Sequence, residues 1–254
     1  MTALASSPSV QVHRAPRSRE ILRILRLHTV NPSIFFGVPL LILSAAWAVS
    51  AVIALIMLGA GSSAEDLEGM RYSWAVLSPQ WYLMVVGVQA VGLTFSFALG
   101  FGATRRDFWL GTSLMFMVTS AVFAALIASL VQLEISTGGW GLGLHMFNAL
   151  WFGHNGWLMD FYSAFALQLL VLFLGASVTT VYMRWRMRGM LVVLFSALTV
   201  LLGLVAIMTL GEHWPAVIDW FGAIGMAGVF TVLLGIALVC AAAGYLVIRR
   251  ATPR

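Results

Sequence analysis

Leu99-Gly-Phe-Gly-Ala-Thr-Arg-Arg-Asp-Phe-Trp-Leu-Gly-Thr112 is the stretch from which the rest of the chain can be read. It carries Arg105, Arg106 and Asp107, and on both sides the sequence turns apolar, over Trp81–Gly102 and Trp109–Leu133. Each run matches the roughly 20 residues that a helix needs to cross a bilayer. Four more such runs cover Ser33–Leu58, Phe161–Tyr182, Met190–Leu210 and Gly222–Ile248. The whole chain of 254 residues is 61% hydrophobic and only 9% charged. Soluble domains carry about 25% charge, so this composition excludes a water-soluble globule as well as a disordered chain. The expected fold is all-α: a polytopic membrane protein with six transmembrane helices, short loops and no room for a soluble catalytic domain.

The fourteen basic residues are all arginines, and their placement sets the expected orientation. Arg14, Arg17, Arg19, Arg23 and Arg26 precede the first run, and Arg105 and Arg106 lie between the second and third. Arg184, Arg186 and Arg188 lie between the fourth and fifth, and Arg249, Arg250 and Arg254 follow the sixth. Arg71 alone falls on the other side. The acids mirror this: Glu65, Asp66, Glu68, Glu134, Asp160, Glu212 and Asp219 fall opposite the arginines, and only Glu20 and Asp107 join them. The positive-inside rule then places both termini in the cytoplasm. The net charge of +5 is thereby explained by topology, with no nucleic-acid partner implied.

Three regions follow from this plan. Residues 1–32 form a cytoplasmic leader, disordered over Met1–Pro16, and an amphipathic interfacial helix. Residues 33–250 form the transmembrane domain, and 251–254 a cytoplasmic tail. In the interfacial helix Arg19, Arg23 and Arg26 share one face, and Ile21, Leu22, Ile24 and Leu25 the opposite one. Such a helix lies along a membrane surface. Between the third and fourth runs, Ile135–Asp160 is rich in glycine and aromatics, and Phe147, Leu150 and Trp151 are spaced to line a short helix on the outer leaflet. The tryptophans near the boundaries, Trp81, Trp140, Trp151, Trp157, Trp214 and Trp220 among them, read as an interfacial belt.

Thr104 and Asp107 have the spacing of a capping box, so a short helix is expected to begin there, forming a turn near 103–110. Arg105, Arg106, Phe108 and Trp109 would then sit on a compact knob. The simplest reading is a loop whose arginines set topology.

The knob resembles the coupling-helix turn of ABC-2 type transporter permeases, in particular bacterial drug and peptide exporters. There a Gly-x-[Thr/Ser]-Arg-Arg-x-[Phe/Tyr]-x-x-Gly pattern recurs, matched here by Gly102-Ala-Thr104-Arg105-Arg106-Asp107-Phe108-Trp109-Leu-Gly111. The motif covers about ten residues, whereas the six-span plan with its N-terminal elbow helix covers the whole chain. The resemblance implies a multi-pass subunit of the bacterial inner membrane that pairs with a second permease subunit, as homo- or heterodimer. It also implies a separate ABC ATP-binding subunit, which would hold ATP and Mg and grip this turn. Phe108 and Trp109 would fill an apolar cleft of that partner, Arg105 and Arg106 would meet its acids, and the elbow arginines would add a contact or bind membrane lipid. Gly211–Phe221 is too short for the re-entrant hairpin that family members often carry between their last two spans.

No cofactor is expected on this chain. A phosphate-binding loop needs a lysine, and the sequence has none. His145, His154 and His213 match no metal spacing. No acid or base occupies the middle of any run, which argues against a proton- or sodium-coupled carrier and suits a hydrophobic or amphipathic substrate. Gln89, Thr94, Ser96 and Gln168 are candidate pathway residues; interhelical hydrogen bonding is the plainer role for each. The alternative to an exporter subunit is a non-transporting anchor, regulatory or immunity subunit. An enzyme would need a convergent polar cluster, and none is visible.

Overall fold

The structure is a computed structural model that describes residues 17–250. The expected leader and tail, with Arg14 and Arg254, lie outside the described residues. All regular structure among the described residues is helical: α1 (Arg17–Thr29), α2 (Val38–Gly59), α3 (Ala64–Glu68), α4 (Ser78–Gly92), α5 (Phe95–Gly100), α6 (Arg105–Ser136), α7 (Gly156–Leu210) and α8 (Trp214–Ile248). Five helical stretches are long and apolar enough to cross a membrane: Ser33–Gly59, Glu65–Gly100, Arg105–Ser136, Gly156–Leu210 and Trp214–Ile248.

Several local expectations are corrected. The second apolar run is broken at Leu93–Thr94, where the Thr94 hydroxyl bonds back to the Ala90 carbonyl, a competitor for the helical ladder. The turn at Thr104 opens no short helix; α6 continues unbroken to Ser136. α7 carries the fourth and fifth runs as two helical parts on either side of a kink, which falls within the expected turn Met183–Arg188. The change of direction falls on Arg186 alone (φ 56°, ψ −149°). Trp214–Phe221, expected to lie in the connection between the last two spans, is helical: Pro215 sits in the first turn, where its missing N–H costs nothing. Gly225 (φ 61°) then interrupts α8. Phe147, Leu150 and Trp151 line no helix; residues 144–155 are irregular, and Leu150 itself has φ 58°.

Packing is dense around the first half of α7 and thin along its second half. The N-terminal half of α7 is buried by α4 on one side and α6 on the other, with Phe116 and Phe173 edge to face at 5.3 Å. α8 runs alongside in the same direction, tied by Tyr162–Thr231 (2.8 Å) and by the Ser177 hydroxyl donating to the Cys240 carbonyl (2.6 Å). The small residues Ala237 and Gly244 allow this approach; a side chain at Gly244 would overlap the Trp109 ring. By contrast, none of Leu191–Ile207 is buried.

The two ends of α6, about 48 Å apart at 1.5 Å per residue, gather opposite charge. At its start lie α1 and the end of α8. At its finish the connections 60–77 and 137–155 meet, through the Leu150 amide donating to the Arg71 carbonyl (2.7 Å) and His145 beside Glu68 (3.7 Å).

Candidate functional site

The start of α6 is built as a capped helix end. Thr104 takes the N-cap, its Oγ1 accepting from the Asp107 amide (3.1 Å) and donating to Asp107 Oδ2 (2.6 Å). The helix then carries Asp107, Phe108 and Trp109 inward, where they are 6%, 0% and 5% exposed. Phe108 stands edge-on to Phe95 at 5.2 Å, and Trp109 packs 6.5 Å from Phe173. The expectation that these two rings fill a partner's cleft is therefore corrected: they hold α6 to the chain's own core. Helical continuity is the reason, since 108, 112, 115, 116 and 119 form one buried stripe.

Exposed at this end are Thr104, Arg106 and Phe101. Phe101, 70% exposed in the α5–α6 turn, is the projecting aromatic that sequence reasoning missed. Arg105 is partly covered and donates to the Arg249 carbonyl (2.7 Å), serving an open carbonyl at the end of α8.

α1 lies across the same end. Arg19, Arg23 and Arg26 are exposed, and Ile24 is buried against Gly111. A Cβ at Gly111 would stand 2.5 Å from Ile24 Cβ, so glycine sets the approach of α1 to α6. Leu22, expected on the apolar face, is 49% exposed, and it is His28, 4% exposed, that joins Ile24 in the contact with α6. His28 Nε2 shares a hydrogen bond with Thr112 Oγ1 (3.0 Å). The ring lies 5.5 Å from Phe35 and 6.3 Å from Phe108.

Burial lowers the His28 pKa to about 4 from an ordinary 6.5. The docked helix therefore binds fewer protons than the undocked one between those values. Docking is fully stable above about pH 6.5 and loses up to about 3 kcal/mol as the pH falls to 4. Hydrogen exchange of the α1 amides at pH 7.5 and pH 5 is expected to show selective deprotection at the lower pH, after correction for intrinsic rates. The His28→Gln variant is expected to lose that difference.

Of the four candidate pathway residues, Gln89 and Thr94 come together. Both line a cavity of about 310 Å³ between the end of α1, the Ser33–Gly37 turn and the α4–α5 break, with His28 and Asn31 opposite. Ser96 is exposed outside it, and Gln168 is buried on α7 with Oε1 unpartnered. Among the described residues no group of three or more His, Cys, Asp or Glu side chains could hold a metal ion.

Compared with protein-family models, with curated proteins and with solved structures, the chain matches none.

Proposed function

We propose that this chain is the permease subunit of an ABC-2 type exporter, moving a hydrophobic or amphipathic substrate out of the cytoplasm. It crosses the membrane six times with both termini inside, pairs with a second permease subunit, and uses ATP hydrolysed on a separate ATP-binding chain. The six-span count takes the two parts of α7 on either side of Arg186 as separate crossings, each longer than the roughly 20 residues required.

The observation that carries this reading is the basic end of the bundle. Arg19, Arg23 and Arg26 of α1 and Arg106 of α6 are exposed there, on two helices locked together at Ile24 and Gly111. Exposed guanidinium groups on a rigid support suit bidentate contacts to a partner's carboxylates, and Phe101 supplies the aromatic anchor. A force applied to this end reaches α7 and α8 through Trp109, which touches Phe173 and underlies Gly244.

The burial of Phe108 and Trp109 favours a second reading, a non-transporting membrane module, because the motif's aromatics are occupied at home. The two separate on one experiment. The tagged chain, co-expressed with a candidate ATP-binding subunit, is expected to purify as a complex whose ATP turnover depends on both chains. Charge reversal at Arg23 and Arg106 together (R23E/R106E) is expected to weaken the complex at least about tenfold, with membrane insertion and thermal stability retained. An unchanged complex would defeat the coupling assignment, and a stable complex without turnover would favour the module.

A further inference from the structure

The kink in α7 gathers positive charge with no counter-charge beside it. Arg184, Arg186 and Arg188 stand there, and no acid occurs between Asp160 and Glu212. The Ser177–Cys240 contact sets the kink near the end of α8, at the basic end of the bundle. The two acids of that end are engaged elsewhere: Glu20 pairs with Arg23, and Asp107 accepts from Thr104. Among the described residues none of the three kink arginines forms an ion pair.

The kink is also shaped. Arg186 has φ 56° and ψ −149°, a conformation that a residue other than glycine holds only where its surroundings impose it. Its guanidinium lies over the Tyr182 ring at 5.6 Å, and that of Arg184 over the Trp185 ring at 4.4 Å. A guanidinium stacked on a ring keeps its N–H edge free for an oxygen. Gly189 permits the tight bend, since a Cβ there would stand 2.4 Å from Trp185 Cβ. An open groove of about 590 Å³ follows this face across the kink, from Val181 and Trp185 to Gly189, Val192 and Val193, and Arg188 brings charge into its lining. Tyr182 and Trp185 are 41% and 46% exposed, and exposed aromatic rings at the end of a span sit at head-group level.

We propose that this groove holds an anionic phospholipid of the cytoplasmic leaflet, its phosphate on Arg188 with Arg184 and Arg186 beside it, and an acyl chain along Val181, Val192 and Val193. Charge complementarity selects the occupant. A zwitterionic lipid brings its own cation next to the arginines, whereas phosphatidylglycerol keeps a net negative charge that each arginine near the surface helps to hold. A free phosphate would leave the valines and the Trp185 ring uncovered, and a lipid covers both. The proposal rests on the reading that α7 crosses the membrane twice with Arg186 at the cytoplasmic side, and it needs no ATP-binding subunit.

The test uses the full chain in phosphatidylcholine nanodiscs. The probe is trace phosphatidylglycerol with a diazirine near the head of one acyl chain; the comparator is phosphatidylcholine with the same chain. Phosphatidylglycerol is expected to cross-link peptides covering residues 181–193 at least about tenfold over the comparator. Arg188→Gln is expected to lower that labelling about fivefold. Arg250→Gln removes the same charge at an exposed position outside the groove, and is expected to change it less than about twofold. Val192→Trp, at a position 68% exposed, is expected to fill the groove and abolish the preference without altering thermal stability. A companion pair of lipids with the diazirine at the chain end is expected to label residues 194–207 whichever head group it carries, because that stretch is exposed. Equal labelling of 181–193 by both head groups, with 194–207 labelled, would overturn the proposal and leave the membrane-spanning reading standing. Absence of label from 194–207 would overturn both. An Arg250→Gln effect as large as that of Arg188→Gln would reduce the site to diffuse surface charge and overturn the proposal as well.

Discussion

Gly175→Ala is expected to lower the stability of the bundle by about 3 kcal/mol, the upper part of the range for overpacking, and Gly87→Ala by a similar amount. These two glycines form a reciprocal seam. A Cβ at Gly175 would stand 2.2 Å from the Met84 carbonyl oxygen, and a Cβ at Gly87 would stand 2.3 Å from that of Leu172. Both obstacles are backbone atoms of the facing helix, so no rotamer change clears them. α4 and α7 would have to separate by roughly 1 Å to restore van der Waals distance. Separation would loosen Leu83, Val86, Leu172 and Ala176, all at most 3% exposed, and part the Thr179 hydroxyl from the Val88 carbonyl. Close backbone approach at small residues is the main source of helix association in a membrane, where lipid offers no hydrophobic gain. Gly203 supplies the control: it lies on the same helix with nothing within 4 Å of its Cβ direction. Gly203→Ala is expected to be neutral or up to about 1 kcal/mol stabilising, from helix propensity alone. Thermal unfolding in one detergent, with the three variants side by side, reads the difference. The double variant G87A/G175A is expected to cost less than the sum of the singles, since one displacement serves both. Equal midpoints for Gly175→Ala and Gly203→Ala would show that the seam is not held closed.

The features legible in the sequence are those carried by composition and charge. Long apolar runs became long apolar helices, with the arginines of α1, Arg105, Arg106 and Arg249 at the start of α6 and Glu68, Glu134 and Asp160 at its finish. Arg19, Arg23 and Arg26 share an exposed face, and Thr104 caps a helix as its spacing to Asp107 predicts. Less legible are the points where helices stop and the directions in which side chains point. Met183–Arg188 reads as a turn, and the chain does break there, but with no glycine or proline in the stretch the break is confined to the single non-helical residue Arg186. The motif resemblance implies that Phe108 and Trp109 point outward, although a helix continuing past them imposes a period that brings them under the core. In 144–155 the aromatic spacing suggests a helix, but the positive φ values at Leu150 and Gly153 bend the chain away from one. The cavity lining was half legible: Gln89 and Thr94 stood out as polar groups in an apolar run, while His28 was hidden because it counts as polar in a helix read for its arginines. Its spacing four residues after Ile24, on the face that packs against α6, was the available signal.

The acids at the far end of α6 do more than mirror the arginines, and Glu134→Ala is expected to release the whole segment 139–153. Glu134 is 1% exposed, and its carboxylate organises the connection from α6 to α7. Oε1 accepts from the amides of Met146 (3.0 Å), Phe147 (3.1 Å) and Asn148 (2.8 Å), and Oε2 accepts from the Trp140 indole (3.0 Å). Asp160 at the start of α7 secures the other end by accepting from the Gly153 amide (2.9 Å). Alanine at 134 would leave three amides and an indole buried without an acceptor. Each costs about 1–3 kcal/mol if it stays buried, so the segment opens to water instead, and the contact of Leu150 with Arg71 goes with it. Hydrogen exchange at Met146, Phe147 and Asn148 is expected to accelerate at least about a hundredfold, equivalent to about 3 kcal/mol of local stability, while the amides of α4 and the first half of α7 keep their protection. Glu134→Gln tests the charge separately from the shape. Its amide oxygen can replace one carboxylate oxygen, but its NH2 meets donors where Oε2 accepted, so exchange is expected to fall between wild type and alanine. Glu134→Asp is expected to resemble alanine, because a side chain one methylene shorter does not reach the three amides. Were Glu134→Gln indistinguishable from wild type, the carboxylate would be a spacer, and the order of this segment would have to come from the packing of Leu144, Met146 and Phe152 alone.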